Sequence, residues 1–253
     1  MLAVGIVFAV AIGVALGLLG GGGSILTVPI LRYVLGLPAH AAIAGSLFVV
    51  AVTSAVALVG HARAGRVRWR TGVLFGAAGM LGAYAAGRVA HWIPAPLLLL
   101  AFAAMMVATA AAMLRARPAP PRRTRAELPT LEVLVEGLVV GGVTGLVGAG
   151  GGFLVVPALV VLGGLPMPVA VGTSLLVIAM KSSAGLAGYL ASTPIPWPPV
   201  LLVTAAALVG STMGLRLAAR VDELRLRRGF GWFVLAMAAV VLWQELPPLL
   251  RAL

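Results

Sequence analysis

No cysteine occurs among the 253 residues. That excludes disulfides, thiol catalysis and cysteine-based metal centres. Charge is scarce too: Asp, Glu, Lys and Arg make up 9% of the chain, against about 25% in a soluble domain. Acids are the scarcest, six in all, and none sits centrally in a long apolar run. Glu132 and Glu136 fall near the start of one run, Asp222 and Glu223 in a basic stretch, and Glu245 near the end of the last run. Glu136 suits a helix N-terminus, with a proton relay as the alternative. The three histidines, His40, His61 and His91, are too dispersed to form a metal cluster. There is no Ser-His or paired-carboxylate constellation in mid-run, and no Gly-x-x-x-x-Gly-Lys-Ser/Thr loop for ATP phosphates. An enzyme is therefore not expected, and neither is a cofactor.

Apolar sequence fills the space that charge leaves. Hydrophobic residues make up 62% of the chain and mean hydropathy is +1.14. This predicts an all-α integral membrane protein in a lipid bilayer, with no separate soluble domain. The net charge of +12 would suggest nucleic acid in a soluble protein. Here the arginines cluster in short loops between apolar runs, and nucleic-acid motifs are missing. Orientation in a membrane is the better reading, and no nucleic acid is expected as a partner. The first twenty residues lack a basic n-region and an A-x-A site, so they are read as structural rather than as a signal peptide.

The chain repeats itself. GLLGGGGSILTVPILRYVLGLPAHAAIAGSL (Gly17 to Leu47) aligns without gaps on GLVGAGGGFLVVPALVVLGGLPMPVAVGTSL (Gly145 to Leu175), 128 residues later, with 15 of 31 positions identical. The same offset pairs Gly13 with Gly141, Trp69 with Trp197, Gly82 with Gly210 and Arg88 with Arg216. Two homologous halves are predicted, 1–114 and 129–253, joined by a basic Pro/Arg-rich linker at 115–128. Each half has an apolar run, a glycine break and a short apolar run (24–36; 152–164), and then three longer runs. Those are 41–60, 71–88 and 96–114 in the first half, and 169–189, 199–218 and 229–246 in the second. The long runs have about the length that a bilayer requires. The short ones, at about 1.5 Å per residue, do not.

Arginine sets the expected orientation. His61 to Arg70 carries four arginines, the linker five, and Arg216 to Arg228 five; all should be cytoplasmic. The uncharged loop Ala191 to Pro199 should face outward. Equivalent loops then fall on opposite sides, so the halves have inverted topology, with both termini outside. Arg88 and His91 sit on the outer side against the rule. Inverted repeats are characteristic of secondary transporters. Each repeat is expected to be a Gly-broken helical hairpin plus three transmembrane helices.

A broken backbone survives in a bilayer only where protein buries it or a wet cavity faces it. After each glycine run a short helix begins, presenting free N–H groups and a positive dipole end, a site for an anion. Gly21, Gly22, Gly23 and Ser24 in the first half, with Gly150, Gly151 and Gly152 in the second, are the candidate residues. Close helix packing through Gly13-x-x-x-Gly17 and Gly141-x-x-x-Gly145 is the competing explanation. Lys181, the sole lysine, lies near the middle of an apolar run, where an ionisable residue points to function. Its repeat counterpart is Thr53, and Ser182 pairs with Ser54. Thr173 and Ser174 lie two turns before Lys181 on roughly its face, with Ser46 the counterpart of Ser174. A lysine with hydroxyls suits an oxyanion; a snorkelling lysine is the alternative. His61 and Tyr189, repeat partners, are expected at membrane interfaces. Trp69 and Trp197 are expected in aromatic belts, and Arg88 and Arg216 at helix ends.

The paired breaks, each followed by GLP and then by GSL or GTSL, resemble the sulfite exporter TauE/SafE family of membrane permeases over nearly the whole chain. The resemblance implies a permease for small anions, such as sulfite or organosulfonates, in the bacterial cytoplasmic membrane. It places the path around Gly20 to Ser24, Ser46, Gly148 to Gly152 and Ser174. The expected function is a secondary transporter, an exporter of a small oxyanion, working by alternating access around a midplane site. A non-transporting membrane subunit or scaffold is the alternative. The expected partners are a small anionic substrate and lipid; a homo-oligomer stays open.

Overall fold

The computed structural model describes residues 10, 13–14, 26–115, 130–147, 155–156, 159, 165–218 and 223–252. Every regular element among them is helical. A short helix α1 (Thr27–Pro29) runs into one wide π-type turn (Ile30–Val34). Seven longer helices follow: α2 (Ala39–Arg63), α3 (Trp69–Val89), α4 (Ala95–Arg115), α5 (Thr130–Val147), α6 (Met167–Leu190), α7 (Trp197–Ala218) and α8 (Glu223–Ala252). Four are long and apolar enough to cross a membrane: Ala39–Arg63, Trp69–Trp92, Pro168–Leu190 and Trp197–Gly214. At about 1.5 Å per residue, 18 residues reach about 27 Å, close to the hydrocarbon core. Leu81, Leu131, Trp92 and Trp243 are each more than two-thirds exposed. Such an apolar rim suits lipid rather than water.

The two copies of the repeat fold alike locally. Leu37 N–H reaches back to Leu31 O at 3.0 Å, and Leu165 N–H to Leu159 O at 3.1 Å. These bonds close the short segments after the breaks. Gly36, at φ 71°, supplies the left-handed residue that such a helix end requires. Pro38 and Pro166 then start α2 and α6 in the same extended conformation, with ψ 145° and 141°.

Helix contacts repeat at the same offset. A Cβ on Gly13 would meet Ala207 O and Ser211 N, and one on Gly210 would meet Val10 O and Val14 N. These contacts join the two halves, and so do their repeat counterparts: Gly141 lies against Gly79, and Gly82 against Leu138 O and Gly142 N. Each of these partners is 128 residues from its counterpart. The glycines let backbones touch without side chains between them. Between the halves, α2 and α6 pack antiparallel: Gly172 abuts His61 near one end and Gly185 abuts Leu47 towards the other. Likewise, Gly231 near the start of α8 meets Leu114 at the end of α4. The main apolar core draws on both halves, with Leu31, Ile43, Leu47, Phe102, Tyr189, Val203 and Val234 among its buried members.

Two adjacent glycine positions separate close packing from mere presence. A Cβ at Gly82 would collide with α5 backbone, whereas one at Gly142 would come no nearer than 3.9 Å to Gly82 O. Gly82→Ala should therefore destabilise by about 1–3 kcal/mol or more. Gly142→Ala should be neutral or stabilising by up to about 1 kcal/mol through helix propensity. Thermal unfolding in detergent checks this; equal melting temperatures for the two variants would contradict the α3–α5 contact.

Candidate functional site

Lys181 is the centre of the site. It lies on α6 with 1% exposure, among the largest fully buried side chains. Its Nζ donates to Thr144 Oγ1 on α5 at 3.0 Å. Thr144, buried as well, donates in turn to Val140 O at 2.6 Å. An ammonium has three donors, and this hydroxyl takes one. Among the described residues no carboxylate lies within ion-pair distance of Nζ. On the α3 side, a Cβ at Gly79 would sit 3.7 Å from Lys181 Cβ, an ordinary van der Waals contact, so α3 packs directly against the lysine stem.

A second α6 side chain ties to the same helix end. Tyr189 is fully buried, and its hydroxyl donates to Leu146 O at 2.6 Å. The last carbonyls of a helix have no intrahelical partner, so Tyr189 satisfies one of them at the end of α5. Lys181 and Tyr189 together hold the turn that leads into the second glycine break. Tyr189 thus serves inside the protein, whereas its repeat partner His61, also buried, has an Nδ1 without a partner among the described residues.

The other expected residues divide into three groups. Gly21, Gly22, Gly23, Ser24, Gly150, Gly151 and Gly152 lie outside the described residues. Ser46, Thr53, Thr173 and Ser174 are buried, and each is engaged locally or by the neighbouring loop. Ser46 donates to Ile43 O, Thr53 to Val49 O and Ser174 to Val171 O, while Thr173 Oγ1 accepts from Arg68 N–H at 2.9 Å. Ser182 is buried with no partner for its hydroxyl among the described residues. Register relates Thr53 and Lys181. Interpolating between the Leu47–Gly185 and His61–Gly172 contacts puts Thr53 level with residues 179–180, about 2–3 Å along the axis from Lys181. The two repeat-equivalent positions thus lie at the same depth of the α2–α6 pair.

Sequence reasoning missed two features. Thr144 is one; as the hydroxyl in an otherwise apolar stretch of α5, it carried a signal that went unused. The other is a polar cluster joining the short segment to α8. Tyr33 OH donates to Glu245 Oε1 at 3.2 Å, and Arg32 Nε lies 3.9 Å from the same oxygen. Arg32 Nη1 also donates to Leu37 O at 3.1 Å. Glu245 is 6% exposed. An arginine inside a short apolar run was the available clue.

Comparison with known proteins agrees with this architecture. The chain matches the sulfite exporter TauE/SafE family over residues 5–241. It is 35% identical over 240 residues to a probable membrane transporter protein of Xylella fastidiosa (strain Temecula1), covering 92% of each chain. It is also 26% identical over 231 residues to one of Methanocaldococcus jannaschii, covering 85% of this chain and 86% of that one. A similar protein of Bacillus subtilis is 27% identical over 217 residues, covering 84% and 87%. No solved structure matches the chain. With a family match along most of its length, relatives described as transporters and several helices fit to span a bilayer, this multi-pass membrane transporter belongs to the TauE/SafE sulfite exporter family.

Proposed function

We propose that the protein is a secondary transporter that exports a small oxyanion, such as sulfite or an organosulfonate, across the bacterial cytoplasmic membrane. The observation that carries this reading is Lys181, a fully buried amine whose described partner is one neutral hydroxyl. A buried charge is costly unless it is paired, and a transported anion supplies the missing partner. Thr144, Thr53 and Ser182 surround the same depth. The glycine-break helix starts at Gly21 to Ser24 and Gly150 to Gly152 would add N–H donors, with Ser46, Thr173 and Ser174 on the helices that follow. The family's description as sulfite exporters favours this substrate class.

Alternating access would come from rocking of two inverted repeats, 1–114 and 129–253, linked by 115–128. Supporting the inverted relation are the matched glycine contacts, each of which joins one half to the other, and the antiparallel packing of α2 on α6, its repeat counterpart. On this topology the Arg32–Tyr33–Glu245 cluster is an outer closure that fastens the short segment of one half to the last helix of the other. Outward export of an anion could draw on the membrane potential, about 2.3 kcal/mol per charge per 100 mV.

Three measurements test these points. In proteoliposomes, wild type should carry sulfite, and Lys181→Ala should lower the rate at least about tenfold, the loss expected for one charge-assisted hydrogen bond of about 1.5–3 kcal/mol. No flux of any small anion would sink the transport reading, while full activity in Lys181→Ala would remove the lysine from the site. The cysteine-free chain makes every introduced thiol unique. In intact cells, impermeant maleimide should label Ser192→Cys and spare Arg122→Cys; the reverse would overturn the proposed orientation. Finally, joining Tyr33→Cys to Glu245→Cys with a short bis-maleimide should stop flux that the unlinked double variant retains. Undiminished flux after complete linking would rule out opening at this cluster.

A further inference from the structure

Buried serine and threonine hydroxyls on helices can bond back to a carbonyl three or four residues earlier. Several in this core do: Ser46 to Ile43 O, Thr53 to Val49 O, Thr144 to Val140 O, Ser174 to Val171 O and Thr204 to Val200 O, all at 2.6–2.8 Å. Ser54 and Ser182 do not. They are 0% and 1% exposed, and neither hydroxyl has a hydrogen-bond partner among the described residues. They occupy the same position of the repeat, 128 residues apart. Thr27 shares the unpartnered state, but its counterpart is Val155. An unmade bond at a buried hydroxyl costs free energy. Here that cost recurs at matched positions, next to Thr53 in one half and Lys181 in the other.

Both serines belong to the α2–α6 interface. Ser54 is seven residues from Leu47 and seven from His61, and both of those residues contact α6. Seven residues return a helix to nearly the same face, so Ser54 faces α6. On α6, Ser182 lies between Gly172 and Gly185, the positions that receive those contacts. In the same register Ser54 is level with residue 179, so the two serines differ in depth by about 4–5 Å.

We infer that Ser54 and Ser182 are a matched pair of hydroxyl donors to the oxygens of the transported oxyanion, one from each half, with Lys181 supplying the charge. The inference rests on the transport reading above and assigns donors within that same site. An anion with several acceptor oxygens can take both bonds at once. Because the pair is related by the repeat, each half keeps one donor on the substrate as the halves move.

Sulfite uptake kinetics in proteoliposomes test the pair through Ser54→Ala, Ser182→Ala, the double variant and Ser54→Thr, each with its melting temperature in detergent. Each alanine should raise KM for sulfite about tenfold and the double variant should raise it further. Ser54→Thr, which keeps a hydroxyl, should stay within a few-fold of wild type. Melting temperatures should hold or rise in the alanine variants, because the lost hydroxyls satisfy nothing among the described residues. A double variant with wild-type KM, whether or not its melting temperature falls, would overturn the serine pair and leave the transporter standing. Wild-type protein that moves neither sulfite nor sulfate nor isethionate would overturn both.

Discussion

A backbone amide or carbonyl left unpaired in hydrocarbon costs several kcal/mol, and the architecture follows from that constraint. Long unbroken helices face the lipid. The start of the described irregular stretch is kept inside: Thr27 to Leu31, where the chain passes from helix into a π-type turn, are all buried. Pro29 has no N–H to donate, and the wide turn pairs Leu35 N–H with Ile30 O and Leu37 N–H with Leu31 O instead. A chain that confines its irregular backbone to the interior thereby confines polar backbone, and any ligand it meets, to the same place.

Close helix approach is the second consequence. Gly82 against Leu138 O, and Gly210 against Val10 O, bring backbones together where side chains would hold them apart. Such contacts gain van der Waals packing in lipid, where no hydrophobic force drives helices together. They recur as matched contacts between the halves because both halves descend from one pattern. Ser46 and Ser54 recur as Ser174 and Ser182, but other interior polar residues do not. Lys181 answers Thr53, Thr144 answers Leu16, and Arg32 and Tyr33 answer Val160 and Val161. The packing scaffold has stayed symmetric while each of these charges has a neutral counterpart, so the two halves present similar walls with different chemistry.

The scaffold was readable in sequence because its signals are local or periodic. Hydropathy marked the long helices, and the fixed offset of 128 marked the repeat. A lone lysine in mid-run was sufficient to single out Lys181. Its partner was not readable, since which face of α5 meets α6 depends on helix rotation set by many contacts. The Arg32–Tyr33–Glu245 cluster joins residues more than 200 positions apart, and neither end carries a motif. Tyr189 was expected at a membrane interface; that its hydroxyl also closes the end of α5 was not readable, since only the approach of two helices creates that role. The distinction between Ser54, which lacks a partner, and Thr53, which has one, depends on rotamers that no pattern encodes.

Arg32 and Lys181 are handled in opposite ways, and the contrast bears on what the centre is for. Arg32, about one-third exposed, is given a carboxylate, a carbonyl acceptor and a neighbouring phenol that shares the carboxylate. Lys181, fully buried and thus in greater need of a counter-charge, receives one hydroxyl that is itself already donating. A permanent carboxylate beside Lys181 would compete with an arriving anion and lower its affinity, since the anion would have to displace a partner of the same charge. In the proposed transport reading, leaving the strongest electrostatic demand unmet by the described residues, at the depth where α2 and α6 cross, makes the substrate the group that meets it. On the proposed mechanism the same deficit limits how tightly the empty site can close, so it couples binding of the anion to movement of the halves.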